Sequence, residues 1–536
     1  MLPRLHTNFL TALAFVISTI VLSTFAGGAA AQSTAFKQAV ATAAASDPAI
    51  AAFYQDRAFK PIWTGRGNKD KQRRAALLQA VGKAGMHGLP SGRYDPAQIK
   101  ARMAAAKTPE ERGALEVYLS ATFLQYARDV QTGVLTPSKV SSEIVRQVPL
   151  RDRQKTLVAF SKSSASGFMK VLPPKSAEYT RLMKEKLRLE KLLGKGGWGQ
   201  KVPVNSLKPG ASGNAVVILR NRLIAMGYLQ RTTTQAYDAS IQAAVQQFQL
   251  AHGLATDGVA GPGTMKEINK DVDTRLTQVI VAMERERWIN RPLGDRHVWV
   301  NLTDFSAQIR DKGQVTFQTR SVIGATDADR RSPEFSDVME FMVINPSWYV
   351  PRSIATKEYL PLLRNNPNAV SHLEITDSRG RKVNRGAVNF AQYTASTFPF
   401  NMRQPPSRGN ALGLVKFMFP NKYNIYLHDT PAKNLFSREV RAFSHGCIRL
   451  NDPFDFAYAL LAKQTSDPEG FFQSKLRTGA EARVNLNEPV QVHLVYRTAF
   501  TSPAGNMHYR RDVYGRDGRI WSALQREGVA LRAVAG

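Results

Sequence analysis

Apolar residues recur at two different periods along this chain, and the change of period divides it. From about 35 to 205 the spacing is helical. Tyr179, Leu182, Leu189 and Leu193 fall on one narrow face, Lys184, Arg188 and Lys191 lie largely off it, and Gly194, Gly196 and Gly197 end the segment. Residues 206–272 hold three short helical stretches. Val216, Leu219, Leu223 and Met226 form a stripe closed by Gly227. Asp238 stands as N-cap before Ile241, Ala244, Val245 and Phe248, closed by Gly253, and after the Asp257-Gly258 turn Pro262 suits the first turn of a third helix. From about 273 to 497 β-formers dominate. Residues 299–302, 305–310 and 314–323 read as strands, the last two joined through Asp311-Lys312-Gly313 as a hairpin. Residues 341–344, 414–418 and 424–427 read as further strands, the last delivering His428 at its end. Residues 352–411 break the rhythm with charges, Asn365-Asn366-Pro367 and Pro405-Pro406, and read as an inserted lid beside a site. Asp452 before Pro453 predicts a capped helix with Ala457, Leu460 and Leu461 inward. Residues 498–536, with Tyr509-Arg510-Arg511, read as a docked C-terminal tail.

Length adds that 536 residues suit about three or four domains, each burying its own core. The N-terminus reads as an export signal over residues 1–31: Arg4 is the only Lys or Arg there, 9–25 is mostly apolar, and Ala29-Ala30-Ala31 offers a small-residue cleavage site. Membrane contact is expected only if that segment stays uncleaved as an anchor. The formal net charge of +31 would point to nucleic acid in a cytoplasmic protein. In an exported chain no nucleic-acid partner is expected; anionic wall polymer or lipid headgroups are the attractors, and most of the excess is a solvated basic surface. With a single cysteine there is no disulfide framework, so packing must supply the stability.

That lone thiol, Cys447, sits in Ser444-His445-Gly446-Cys447-Ile448-Arg449, downstream of His428-Asp429. Three readings compete. In nucleophilic acyl transfer, Cys447 attacks a carbonyl, His428 takes its proton, Asp429 or its carbonyl orients the imidazole, and Gly446 lets backbone N–H groups meet the oxyanion. A loop position just before a helix would favour the thiolate. Alternatively His428, Asp429, His445 and Cys447 are metal ligands, although the His445-Gly446-Cys447 spacing is not a zinc signature. The third reading is an inert buried thiol, against which the polar neighbours argue. His87 reads as structural, and Asp129 as a solvated or capping carboxylate.

Two resemblances bear on the choice. Leu207-Lys208-Pro209-Gly210, Gly227-Tyr228-Leu229, 244–249 and 257–262 resemble the peptidoglycan-binding module of exported wall enzymes, which implies anchoring to glycan or stem peptide, or a rigid spacer. His428, followed after sixteen residues by His445 within Ser-His-Gly-Cys, resembles the active-site signature of the L,D-transpeptidase family. Asn345-Pro346-Ser347-Trp348, Arg408-Gly409-Asn410-Ala411-Leu412-Gly413 and Tyr426-Leu427-His428-Asp429-Thr430-Pro431 extend that match towards its long periplasmic members. The resemblance implies a multidomain α+β protein: a helical scaffold domain (32–205), a three-helix peptidoglycan-binding module (206–272), and a β-sandwich-like catalytic domain (273–497) with the lid. It implies Cys447 as nucleophile, His428 as base, the Asp429 carbonyl as orienter, and His445 and Gly446 around the thiolate and oxyanion. Tyr426, Trp348, Arg449 and Ser444 are expected along the substrate. Arg449 stands where many shorter members have asparagine. The implied reaction releases D-alanine from a tetrapeptide stem, forms a thioester, and passes the acyl group to a diaminopimelate amine without cofactor or metal. Water, giving a carboxypeptidase or hydrolase, or an envelope protein amine could accept instead. A wall-binding structural protein is the non-enzymatic alternative.

Overall fold

The computed structural model describes residues 31–534, so the expected signal peptide lies almost wholly outside the described residues. No helix among them is long and apolar enough to cross a membrane.

The N-terminal half is helical, and its longest helix, Pro109–Thr132, starts at a complete capping box: Thr108 and Glu111 satisfy each other's backbone N–H groups. Its inner face carries acids as well as apolar residues. Glu116, fully buried, accepts from the N–H groups of Ile62 (2.6 Å), Trp63 (3.0 Å) and Thr64 (2.8 Å) and from the Tyr54 hydroxyl (2.8 Å). Asp129 is also buried rather than solvated or capping; Arg93 and Tyr94 each bond its carboxylate at 2.7 Å. Its neighbours in sequence gave no hint of these partners, which lie 35 and 36 residues upstream. His87 is structural as expected, 3.1 Å from the Tyr179 hydroxyl. In helix Ala177–Gly194, Tyr179, Leu182 and Leu189 are buried; so, against the polar pattern, are Lys186 and Glu190, paired at 2.7 Å.

The small module keeps its sequence pattern closely. Helices Asn214–Met226, Ala239–His252 and Pro262–Ile268 enclose Val216, Leu219, Leu223, Ile241, Val245 and Phe248. Asp238 caps the second helix through Ser240 and Ile241 N–H, and Gly227 and Gly253 close the first two helices at left-handed φ of 89° and 68°.

Helix Val272–Trp288 leads into the main sheet. Its strands are β1 (Arg296–Asn301), β2 (Ser306–Asp311), β3 (Gln314–Gly324), β4 (Phe335–Ile344), β8 (Val415–Met418), β9 (Leu427–His428), β10 (Ala442–Ser444), β11 (Ile448–Leu450) and β12 (Ala482–Val495). They run in the order β10-β3-β11-β9-β8-β4-β12-β1-β2, and β2 also pairs with β3 through the expected 311–313 hairpin. Eight strands therefore form a closed circuit with β10 alongside β3. A core of Val298, Val300, Ile323, Phe417, Leu427, Ile448 and Leu494 fills it.

The segment expected as a lid is a packed unit. β5 (Trp348–Tyr349), β7 (Asn401–Gln404) and β6 (Glu374–Thr376) make a separate sheet, with Trp348, Leu360, Leu363, Phe390, Phe398 and Met402 as its core. The C-terminal segment is likewise more than docked. β13 (Ala499–Thr501), β14 (Met507–Tyr509) and helix Arg516–Arg526 contribute Ala499, Tyr509, Ile520, Ala523 and Leu524 to the scaffold core.

Candidate active site

β9 and β11 run parallel, with Leu427 opposite Ile448 and His428 opposite Arg449. Side chains alternate across a strand. Leu427, Ile448 and Leu450 are fully buried in the core, so Tyr426, His428, Cys447 and Arg449 share the opposite face, towards the inserted unit. Two short, otherwise unremarkable strands thus bring the four residues together.

His428 is buried, and its Nδ1 lies 2.5 Å from the Asp429 carbonyl oxygen. A carbonyl only accepts, so Nδ1 carries the proton and Nε2 is the basic nitrogen of the neutral ring. Of the two orienting groups expected at Asp429, the carbonyl is the one used. The carboxylate turns away, to Leu414 N–H (2.9 Å) and Lys433 Nζ (2.7 Å). Gly413 is required beneath it: φ is 63°, and a Cβ there would come within 2.3 Å of the Asp429 carboxyl. Burial, reinforced by the Arg449 charge, lowers the imidazole pKa to about 3.

Cys447 is half-buried, with Sγ 3.4 Å from the Asn424 carbonyl oxygen. Burial pushes its pKa up to about 11, while hydrogen bonds with Tyr426 and the Arg449 charge work the other way. The expected helix-start thiolate is therefore not what the fold provides. β11 separates Cys447 from helix Pro453–Leu461, and the orphan N–H groups of that helix are out of reach. Asp452, at the N-cap position, makes no capping bond; its carboxylate accepts from Thr319 Oγ1 at 2.7 Å. Thiol and imidazole are both neutral near pH 7.

Other expected site residues take different places. The Ser444 hydroxyl is buried, donating to the Cys447 carbonyl (2.5 Å) and accepting from Gly446 N–H (3.1 Å), so it braces the loop from inside and does not face substrate. That bond also occupies the Gly446 N–H. The Gly446 carbonyl accepts from the Ser332 hydroxyl at 2.6 Å, a partner no local motif announces. His445 is exposed and donates from Nε2 to Glu358 of the inserted unit (2.6 Å), which also pairs with Arg330 (2.9 Å). It ties the loop to the insert instead of lining the thiol. Tyr426 packs against both the catalytic and insert cores, its ring 5.6 Å from His428.

Trp348 and Arg449 do line a common cavity of about 460 Å³, with Tyr359, His372, Gln404 and Thr430. Arg449 Nε is buried there without a hydrogen-bond partner. A guanidinium so placed suits a carboxylate. Among the described residues no group of three or more His, Cys, Asp and Glu side chains could hold a metal ion. His445 bonded to the insert is one reason the four proposed metal ligands do not converge.

Comparison with known proteins finds three family matches. Residues 295–473 match the L,D-transpeptidase catalytic domain, 48–185 a domain described as "Scaffold domain", and 212–268 one described as "Putative peptidoglycan binding domain". The chain thus joins a scaffold domain and a peptidoglycan-binding domain to an L,D-transpeptidase catalytic domain. A Haemophilus influenzae protein named "Putative L,D-transpeptidase" is 29% identical over 256 residues, 46% of this chain and 50% of that protein. The "Zinc D-Ala-D-Ala carboxypeptidase" of Streptomyces albus G is 41% identical over 78 residues, 14% of this chain and 30% of its own length. This chain therefore spans half of the first relative and less of the second. Crystal structures of L,D-transpeptidases from Xylanimonas cellulosilytica and Stackebrandtia nassauensis align at 16% and 14% identity, over 55% of this chain in each case and 100% and 96% of theirs. With TM-scores of 0.17 and 0.21, these alignments carry no weight for the fold.

Proposed function

We propose that the protein is a peptidoglycan L,D-transpeptidase acting outside the cytoplasm, with Cys447 as nucleophile and His428 as general base. The observation that carries this reading is the shared face of β9 and β11, which presents thiol, imidazole, phenol and guanidinium on one side. His428 Nε2 takes the Cys447 proton as sulfur bonds to the carbonyl at the L-centre of diaminopimelate in a tetrapeptide stem. The tetrahedral intermediate collapses, and D-alanine leaves with the proton from His428. An amine, from diaminopimelate on a neighbouring strand, then attacks the thioester and gives its proton to His428, which returns one to the departing sulfur. Because both groups rest neutral, proton transfer accompanies attack and no standing thiolate is needed. Arg449 and Trp348 hold the stem in the cavity, the guanidinium against a carboxylate. The module at 212–268 supplies a second hold on the polymer.

Water or an envelope protein's amine would use the same thioester, giving a hydrolase or protein-to-wall attachment. Incubation with a purified tetrapeptide-stem muropeptide, read by intact mass and product chromatography, separates these. An adduct on Cys447 lacking D-alanine, with cross-linked dimers in solution, is the expected result. Shortened monomers alone mean a hydrolase. A folded protein giving neither adduct nor product sinks the enzymatic reading in favour of wall binding.

A further inference from the structure

We infer that Ser332, held in place by Tyr514 and Arg516 of the C-terminal segment, is a positioning residue that orients the Gly446–Cys447 peptide and so aims the Cys447 N–H at the oxyanion. The inference rests on the acyl-transfer reading above.

The argument begins with the glycine. Gly446 sits at φ 110°, a conformation that side-chain-bearing residues rarely adopt, and its own N–H is engaged by Ser444. The peptide bond that follows is planar and, like every described one, trans, so its C=O and N–H point in opposite directions. Whatever fixes the Gly446 oxygen therefore fixes where the Cys447 N–H points. Ser332 Oγ does this, donating to that oxygen at 2.6 Å. With Gly446 N–H engaged elsewhere, the Cys447 N–H is the donor that the nucleophile itself carries next to its sulfur. Aiming such a donor before reaction is worth more than forming the bond afterwards, because no reorganisation then opposes it.

Ser332 is itself immobilised. It is fully buried; its Oγ accepts from Gly324 N–H (2.9 Å), and its N–H is donated to the Tyr514 hydroxyl (3.4 Å). Its carbonyl accepts from Arg516 Nη2 at 2.6 Å, and the Tyr514 hydroxyl donates to Gly324 O at 2.5 Å. Gly324 must be glycine: a Cβ would stand 2.0 Å from Arg330 O and 2.7 Å from Ser332 N. Arg516, fully buried, is anchored by Glu334 (3.2 Å) and Glu143 (3.0 Å), the latter from the scaffold. A connected set of buried hydrogen bonds thus runs from the scaffold, through the C-terminal segment, to the peptide beside the nucleophile. Such a network is stiff only when every member is satisfied.

The test separates oxyanion stabilisation from thiol reactivity. Alkylation of Cys447 by iodoacetamide displaces iodide and develops no oxyanion. Acetylation by p-nitrophenyl acetate passes through a tetrahedral oxyanion and does not depend on the natural substrate, so it stays informative if the transpeptidase reading fails. In the full chain, Ser332→Ala is expected to slow acetylation about tenfold or more while the alkylation rate against pH and the melting temperature stay close to the parent's; complete loss of one such donor costs about 10²–10³. Tyr514→Phe, which keeps the ring, is expected to shift acetylation alone, by a smaller factor. Equal slowing of acetylation and alkylation overturns the inference, since the thiol and not the oxyanion donor would be affected. Acetylation unchanged in both variants overturns it as well.

Discussion

The peptidoglycan-binding module and the catalytic face are built in opposite ways. In the module, helix stripes, caps and stops lie within a few residues of one another: Asp238 caps its own helix, Gly253 ends it, and Phe248 packs against partners from the same short segment. On the catalytic face, what surrounds one thiol arrives from far along the chain. Ser332 reaches Gly446 across 114 residues, and Glu358 reaches His445 across 87. A site of the first kind tolerates change elsewhere; one of the second kind depends on the assembled molecule.

Removing the proposed nucleophile should break the comparison most sharply. Cys447→Ala is expected to abolish thioester and cross-link, a loss of at least about 10³-fold, while the same protein still sediments with purified wall polymer. Loss of polymer binding in that variant would show that the two regions are not separate. Next in size, Phe248→Ala should destabilise the module by about 3–5 kcal/mol. Hydrogen exchange should show opening confined to 214–268, with acetylation of Cys447 within a factor of two, roughly the scatter of surface effects. His252, which stacks on Phe248 at 3.8 Å and on Tyr509 at 5.5 Å, marks where any coupling would first appear.

Acid should strain both regions together. Burial lowers the pKa of His87, His252, His297, His428, His493 and His508, to about 4 for His87, His493 and His508 and about 3 for His428. Below the unfolded value of about 6.5 the unfolded chain binds protons that these buried rings refuse, so stability is intact above that pH and falls as pH drops towards 3, by roughly 1.4 kcal/mol per unit per ring. Asp517, pushed up to about 7, works the other way, as do Asp129 and Glu284, whose carboxyls burial also raises: three groups against six. Chemical denaturation at pH 7 and pH 5 is expected to show a lower midpoint at pH 5; an equal midpoint would refute the count. The smallest effect concerns Arg449. Its charge favours the Cys447 thiolate and disfavours the His428 imidazolium, so Arg449→Met should raise both pKa values, read by pH-dependent alkylation and by NMR titration of the ring. A fall in either would mean that Arg449 acts by packing instead.

The same contrast explains what could be read from sequence. Periodicity found the module's helices, the β2–β3 hairpin and the strand ending at His428, because those signals are local. The motif around Cys447 identified thiol and imidazole, since their identity is chemical and needs no coordinates. Ser444 and His445 lie elsewhere than expected because adjacency along a loop does not say which way each group faces. Asp129 reads as a solvated or capping carboxylate, since its burial is recognised only through a distant partner, Arg93. The thiol's environment differs for a related reason: the helix starts at Pro453 as expected, but three residues of strand stand between it and Cys447 where a loop was expected.

One feature of the chain's path bears on its biosynthesis. The scaffold core joins residues from the region of Val40 to residues from the region of Val529, and the catalytic sheet lies between them in sequence. A chain delivered N-terminus first cannot complete that core until the residues around Val529 have emerged. Tyr514 and Arg516 arrive equally late, so a truncated product carries Cys447 and His428 without the brace behind them. Emergence of residues 514–529 is in this sense also the step that sets the brace behind Cys447.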